Sequence, residues 1–166
     1  MARALPEIDT PMLTLGREIT RSLSVQEQQS LLLLALAGPQ PPDVLEQCGL
    51  PYRRLLKIGE LMRQGPAMAL KSKLMQRSVR ALATEQDIAQ LHDLWVTAAV
   101  SLGKEPNARE VLWSLETGKQ VPTKLVLDLA EQAARELNFG LALRLCVLGK
   151  LARHHGQERC SKRGCC

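Results

Sequence analysis

Apolar residues recur at helical spacing along almost the whole chain. Ser24-Val25-Gln26-Glu27 fits a capping box, with Ser24 accepting from the backbone of residue 27 and Glu27 reaching back. A helix is predicted from there to Ala37, through an unbroken Leu/Ala run at 31–37, and Gly38-Pro39-Gln40-Pro41-Pro42 ends it. A short helical piece follows over 43–48. Gly49-Leu50-Pro51 turns the chain into a longer helix, predicted from Pro51 to about Gln64 and stopped by Gly65-Pro66. Leu55, Ile58 and Leu61 or Met62 would form its inward face, and Arg53, Lys57, Glu60 and Gln64 another, with Arg54 beside them. Two helices joined by a short Gly-containing turn make a helix-turn-helix.

Residues 67–82 are basic and read as a helix or as an irregular basic arm. Thr84 caps the next helix, with Glu85 and Asp87 in its first turn, and Ile88, Leu91, Trp95, Ala99 and Leu102 form its stripe up to Gly103. His92, beside that stripe, reads as a surface or satisfied histidine, and Trp95 and Trp113 as core anchors. Pro106 opens a short helix ended by Gly118, and Pro122 opens another through Leu137. The last helix, 141 to about 154, is apolar on nearly every side and is expected to be buried. Asn138-Phe139-Gly140 either separates these two helices or bends one long helix. Residues 1–22, with Pro6 and Pro11, read as a loose arm or a short helix.

The apolar content is mainly Leu and Ala, and period-two β-branched runs are absent, so the class is all-α. The organisation predicted is an N-terminal arm at 1–23 and a helix-turn-helix-like basic unit at 24–82. A C-terminal helical bundle at 83–155 and a Cys-rich basic tail at 156–166 follow. Only 2% of residues are aromatic, which argues against single-strand binders that stack bases on rings.

The net charge of +5 is unevenly spread. Between residues 51 and 82, eight cations stand against the single acid Glu60, a local charge of +7, which leaves −2 for the rest of the chain. A concentrated excess of this kind suits a polyanion. The reading is a transcriptional regulator that binds double-stranded DNA. Arg53, Arg54 and Lys57 would meet bases or phosphates, with Tyr52 and Gln64, and Lys71, Lys73, Arg77 and Arg80 would neutralise flanking phosphate. The bundle would carry a homodimer contact or a regulatory partner subunit. The alternative is a helical adaptor or chaperone whose basic stretch docks on an acidic protein partner, with an exposed apolar patch on the bundle.

No nucleophile elbow, dinucleotide fingerprint or HExxH helix is present, so an enzyme is not expected. Five cysteines without a signal peptide argue against a secreted disulfide framework, and no apolar run is long enough to cross a bilayer. A cytoplasmic protein without a membrane partner is expected. Cys146, Cys160, Cys165 and Cys166, with His154 and His155 near, are the residues that would supply zinc ligands. Four residues separate Cys160 from Cys165, at the edge of zinc spacing, and adjacent cysteines rarely share one ion. The favoured expectation is a frayed tail of reduced thiols with no cofactor.

The stretches VLEQCGLPYRRLLKIGELMRQGP, ATEQDIAQLHDLWVTAAVSLG and VLDLAEQAARELNFGLALRL together resemble a family of small regulatory proteins of bacterial integrative and conjugative elements. RLLKIGELMRQGP and the helix leading into the tail cysteines are also distantly similar to FlhC, the zinc-binding subunit of a flagellar transcription activator. The resemblance implies a DNA-binding regulator of mobile-element or conjugation promoters that works with a partner subunit. FlhC has paired C-x-x-C ligands, a spacing absent here, so its metal site is not carried over.

Overall fold

The computed structural model describes residues 10–162. Its elements are α1 (Thr10–Thr20), α2 (Val25–Ala37), α3 (Pro42–Gln47), α4 (Arg53–Lys57), β1 (Leu61–Gln64), β2 (Ala67–Leu70), α5 (Lys73–Leu82), α6 (Glu85–Ser101), α7 (Ala108–Glu116), α8 (Thr123–Arg135) and α9 (Phe139–Lys162). The fold is mostly helical, with one two-stranded sheet among the described residues. No described helix is long and apolar enough to cross a membrane. The chain forms two compact units, Met1–Lys104 and Glu105–Cys166.

In the first unit the Leu/Ala run leaves the second half of α2 no polar face, and such a segment must be enclosed. Every residue from 30 to 37 is buried. Both arms of the Ser24/Glu27 capping box form. α5 packs on α2, where Gln76 Nε2 donates to the Ala35 carbonyl at 2.8 Å. α1 packs on α5 so closely that a Cβ on Gly16 would stand 2.7 Å from the Ser78 carbonyl oxygen. Residues 10–20 are thus a docked helix. α6, assigned by its sequence position to the C-terminal bundle, belongs to the first unit and packs on α2 and α3. The predicted Thr84 cap forms with Asp87, and Thr84's hydroxyl and backbone hold the Asp87 carboxyl below its usual range.

The helix expected over 51–64 does not form as one element. α4 is five residues long. Gly59, at φ +78°, ends it: Gly59 N–H bonds Leu56 O at 3.3 Å and Glu60 N–H bonds Leu55 O at 3.0 Å. That pair of bonds is a Schellman cap, whose left-handed residue is best supplied by glycine. The chain then becomes a hairpin in which Met62 faces Ala69 and Gln64 faces Ala67. Gly65, at φ +59°, followed by Pro66, whose ring restricts φ to about −65°, has the sign pattern of a II′ hairpin turn. The two residues expected to stop a helix therefore reverse a strand. Leu61 stays buried, but Ile58 and Met62, expected inside, are about half exposed.

The second unit is α7, α8 and α9, closed on Val111, Leu112, Leu115, Val126, Ala130 and Leu145. Asn107 and Glu110 form a capping box at α7. Asn138 lies between α8 and α9, so two helices form, the second beginning at Phe139. The core face of α9 is buried at Leu145, but Leu143 and Val147 are exposed at 66% and 48%, contrary to the largely buried helix expected. α7 and α8 cover only one side of a helix that is apolar on nearly every side.

The turn after α8 uses Leu137 at φ +59°, the one non-glycine residue in the left-handed region among those described. Leu137 is 75% exposed, so its side chain adds little packing. Leu137→Gly should therefore stabilise the second unit by about 1 kcal/mol, read as a higher denaturant midpoint with an unchanged m-value.

Candidate nucleic-acid interface

α3 and α4 are held at a fixed angle by contacts that the sequence spacing does not reveal. Ser30 Oγ, in the middle of α2, donates to the Pro51 carbonyl at 2.7 Å. Glu27, buried at the start of α2, accepts twice from Arg54 Nη1, at 2.9 and 2.7 Å. Arg54, expected among the DNA contacts, is thus engaged in fixing α4 to the cap of α2. Hydrogen bonds from the Ser24 backbone, and then Arg54, lower the Glu27 pKa against the opposing effect of burial.

At the other end of the turn the Tyr52 hydroxyl donates to Glu46 Oε1 at 2.9 Å, and the Arg53 guanidinium lies 3.6 Å from the same oxygen. Arg53 is 85% exposed, so its pairing is weak in water and exchangeable. Arg53 and Lys57, four residues apart, share one face of α4, and Lys57 is exposed. Lys71 leaves the hairpin toward the end of α4: its Nζ would lie 3.9 Å from a Cβ on Gly59, and its N–H bonds Glu60 O at 3.2 Å. Arg63 and Gln64 are exposed at the hairpin end beside the Gly65-Pro66 turn.

Lys73, Arg77 and Arg80, at intervals of four and three, form a single stripe on α5 and are all exposed. That stripe is opposite Met75, Ser78 and Val79, which pack inward. The structure thus gathers Arg53, Lys57 and Lys71 around α4, extends the set through the hairpin, and sets the α5 cations on a helix face of their own. Tyr52 is half-buried and bonded to Glu46, so it acts first on the turn itself.

Arg63, not named among the expected contacts, and Ile58 and Met62, which the helical pattern placed on the inward face, join the candidate surface. The signal was present: two four-residue runs, LMRQ and AMAL, flank a Gly-Pro pair, the spacing of a two-residue hairpin. Their Leu, Met and Ala content obscured it. Cys48 is buried at the end of α3, where burial pushes its thiol up to about 11. Among the described residues no group of three or more His, Cys, Asp or Glu is placed to hold a metal ion. Cys146 is described and exposed, whereas Cys160, Cys165 and Cys166, the other zinc candidates, lie outside the residues whose side chains are described.

No protein-family model matches the chain, and neither a curated protein nor a solved structure matches it.

Because the Glu27 pKa is lowered on folding, its contribution to stability is complete above the unfolded value, about 4.3, and is lost as pH falls through the folded value. Glu27→Gln should lower stability near neutral pH and reduce the loss of stability on acidification below about pH 4.3, measured by urea unfolding from pH 7 to pH 3. An unchanged acid limb would show that the Glu27 carboxylate does not couple to folding.

Proposed function

We propose that this protein is a DNA-binding regulator that reads duplex DNA with α3 and α4 as a helix-turn-helix and with the β1–β2 hairpin as a wing beside it. The observation that carries this reading is the order helix, bridge, helix, turn, helix, hairpin over residues 25–70, whose second half runs into the chain's cationic excess at 51–82. α4 is short, but in this docking mode the first turns of the second helix meet base edges. Arg53 and Lys57 on α4 would face bases or phosphates, and Ile58 and Met62 offer apolar contact of the kind a thymine methyl group takes. Arg63, Gln64 and Lys71 would follow the adjacent backbone, and Lys73, Arg77 and Arg80 would add phosphate contacts. Arg54 acts through Glu27, as a positioning residue. The sequence resemblance makes mobile-element or conjugation genes the targets to test, in the cytoplasm. No catalytic role is assigned, and no cofactor is required by this reading.

A helical adaptor for an acidic protein is the second reading. The exposed apolar residues of α9 favour it, since an adaptor needs such a patch.

Fluorescence anisotropy with a duplex of mixed sequence, across a salt series, tests the first reading. With about five phosphate contacts, log affinity should fall with log salt at a slope of roughly −4 to −5. Arg53→Ala/Lys57→Ala should reduce affinity at least about tenfold and flatten the slope by about 2, with the circular dichroism spectrum unchanged. Absence of binding at low salt would reject the DNA reading and favour the adaptor.

A further inference from the structure

α9 carries a second apolar face. Phe139, Leu143, Val147 and Leu151 lie four residues apart, and they are exposed at 64%, 66%, 48% and 50%. Their line runs opposite the core positions Leu141, Leu145 and Leu148, which pack against α7 and α8. At 1.5 Å per residue the line extends about 18 Å. Four large apolar side chains in one row differ from scattered exposed leucines, and such rows mark docking surfaces.

We infer that this face binds the same face of a second copy of the chain, with the two α9 helices antiparallel. The argument is self-complementarity. The row is symmetric about Leu145, so a two-fold axis there sets Phe139 against Leu151 and Leu143 against Val147. Lys150, the charged residue on this outer face, then meets Gly140, which has no neighbour within 4 Å around its Cβ position. A parallel pair would instead bring two Lys150 ammonium groups together, and like charges in an apolar contact are costly. Arg144, on the flank, is turned aside by its ion pair with Glu116. Half-exposed side chains of this size cover on the order of 400 Å² per copy, about half of a standard interface. The dimer is therefore a weak one. The inference does not rest on the DNA-binding reading.

Sedimentation equilibrium across a wide range of concentrations tests it. The wild-type chain should show a monomer–dimer equilibrium. Leu143→Glu/Val147→Glu should weaken it at least about 100-fold, while Leu102→Glu, an exposed apolar site just after α6 in the first unit, should leave it unchanged. Circular dichroism would verify that each variant is folded. Orientation is read by oxidation in a background with Cys146, Cys160, Cys165 and Cys166 changed to Ser. A mixture of Phe139→Cys and Leu151→Cys chains should form the mixed disulfide. A wild-type chain that stays monomeric at every concentration, or a dimer indifferent to the paired glutamates, would overturn the proposal. So would preferential disulfides between identical Phe139→Cys chains, because they require the parallel arrangement.

Discussion

Gln40 is wholly buried, and three parts of the first unit meet on it. Its backbone exchanges two hydrogen bonds with Met68 of β2, at 3.0 and 2.7 Å, and its side-chain oxygen accepts from Trp95 Nε1 of α6 at 3.3 Å. A buried amide left unsatisfied would cost roughly 1–3 kcal/mol, so the hairpin and α6 have to arrive together. The Leu/Ala core around it packs without strong direction. The hydrogen bonds of Gln40 therefore supply register: they set β2 beside the chain entering α3, and α6 beneath it.

The same logic extends along α2. The Leu/Ala half of α2 is placed by exclusion from water, which fixes its depth but not its neighbours. Polar groups along α2 then choose those neighbours: Glu27 takes Arg54, Ser30 takes the Pro51 carbonyl, and the Ala35 carbonyl takes Gln76. Through these contacts α4 and α5 hang from one rigid element. Their cations consequently point outward on supported helices, which is the condition under which a charged surface recognises a ligand by shape as well as by sign.

The second unit solves a different problem with similar residues. Its α8 and α9 approach closely at Gly149, where a Cβ would come within 3.0 Å of Val126 Cγ1. Two helices, α7 and α8, cover one face of α9 and leave the other to water. The two units thus differ in the surface they present, cationic at residues 53–80 and apolar along α9. Charge attracts over the Debye length, whereas an apolar row acts only in contact, so the two surfaces suit different kinds of encounter.

Local chemistry in the chain sufficed wherever a structure is closed by near neighbours. The helical class, the capping box at Ser24, the helix cap at Thr84, the turn at Gly49, and the burial of Trp95 and Trp113 all follow from residues a few positions apart. The stretch from 58 to 70 did not yield, because Leu, Ile, Met and Ala there satisfy a helix as well as a strand. Gly59 breaks the helix so that β1 can pair with β2, and the bridge that docks this hairpin, from Met68 to Gln40, spans 28 residues. The role of Arg54 was hidden for the same reason: its carboxylate is 27 residues away. The outer face of α9 was misjudged because hydropathy records which side chains avoid water, whereas burial depends on how much neighbouring surface is present to cover them. The sequence by itself determined the helices and where charge collects. Only the tertiary structure decided which cations support the fold and which face outward, because that choice belongs to partners brought together across the chain.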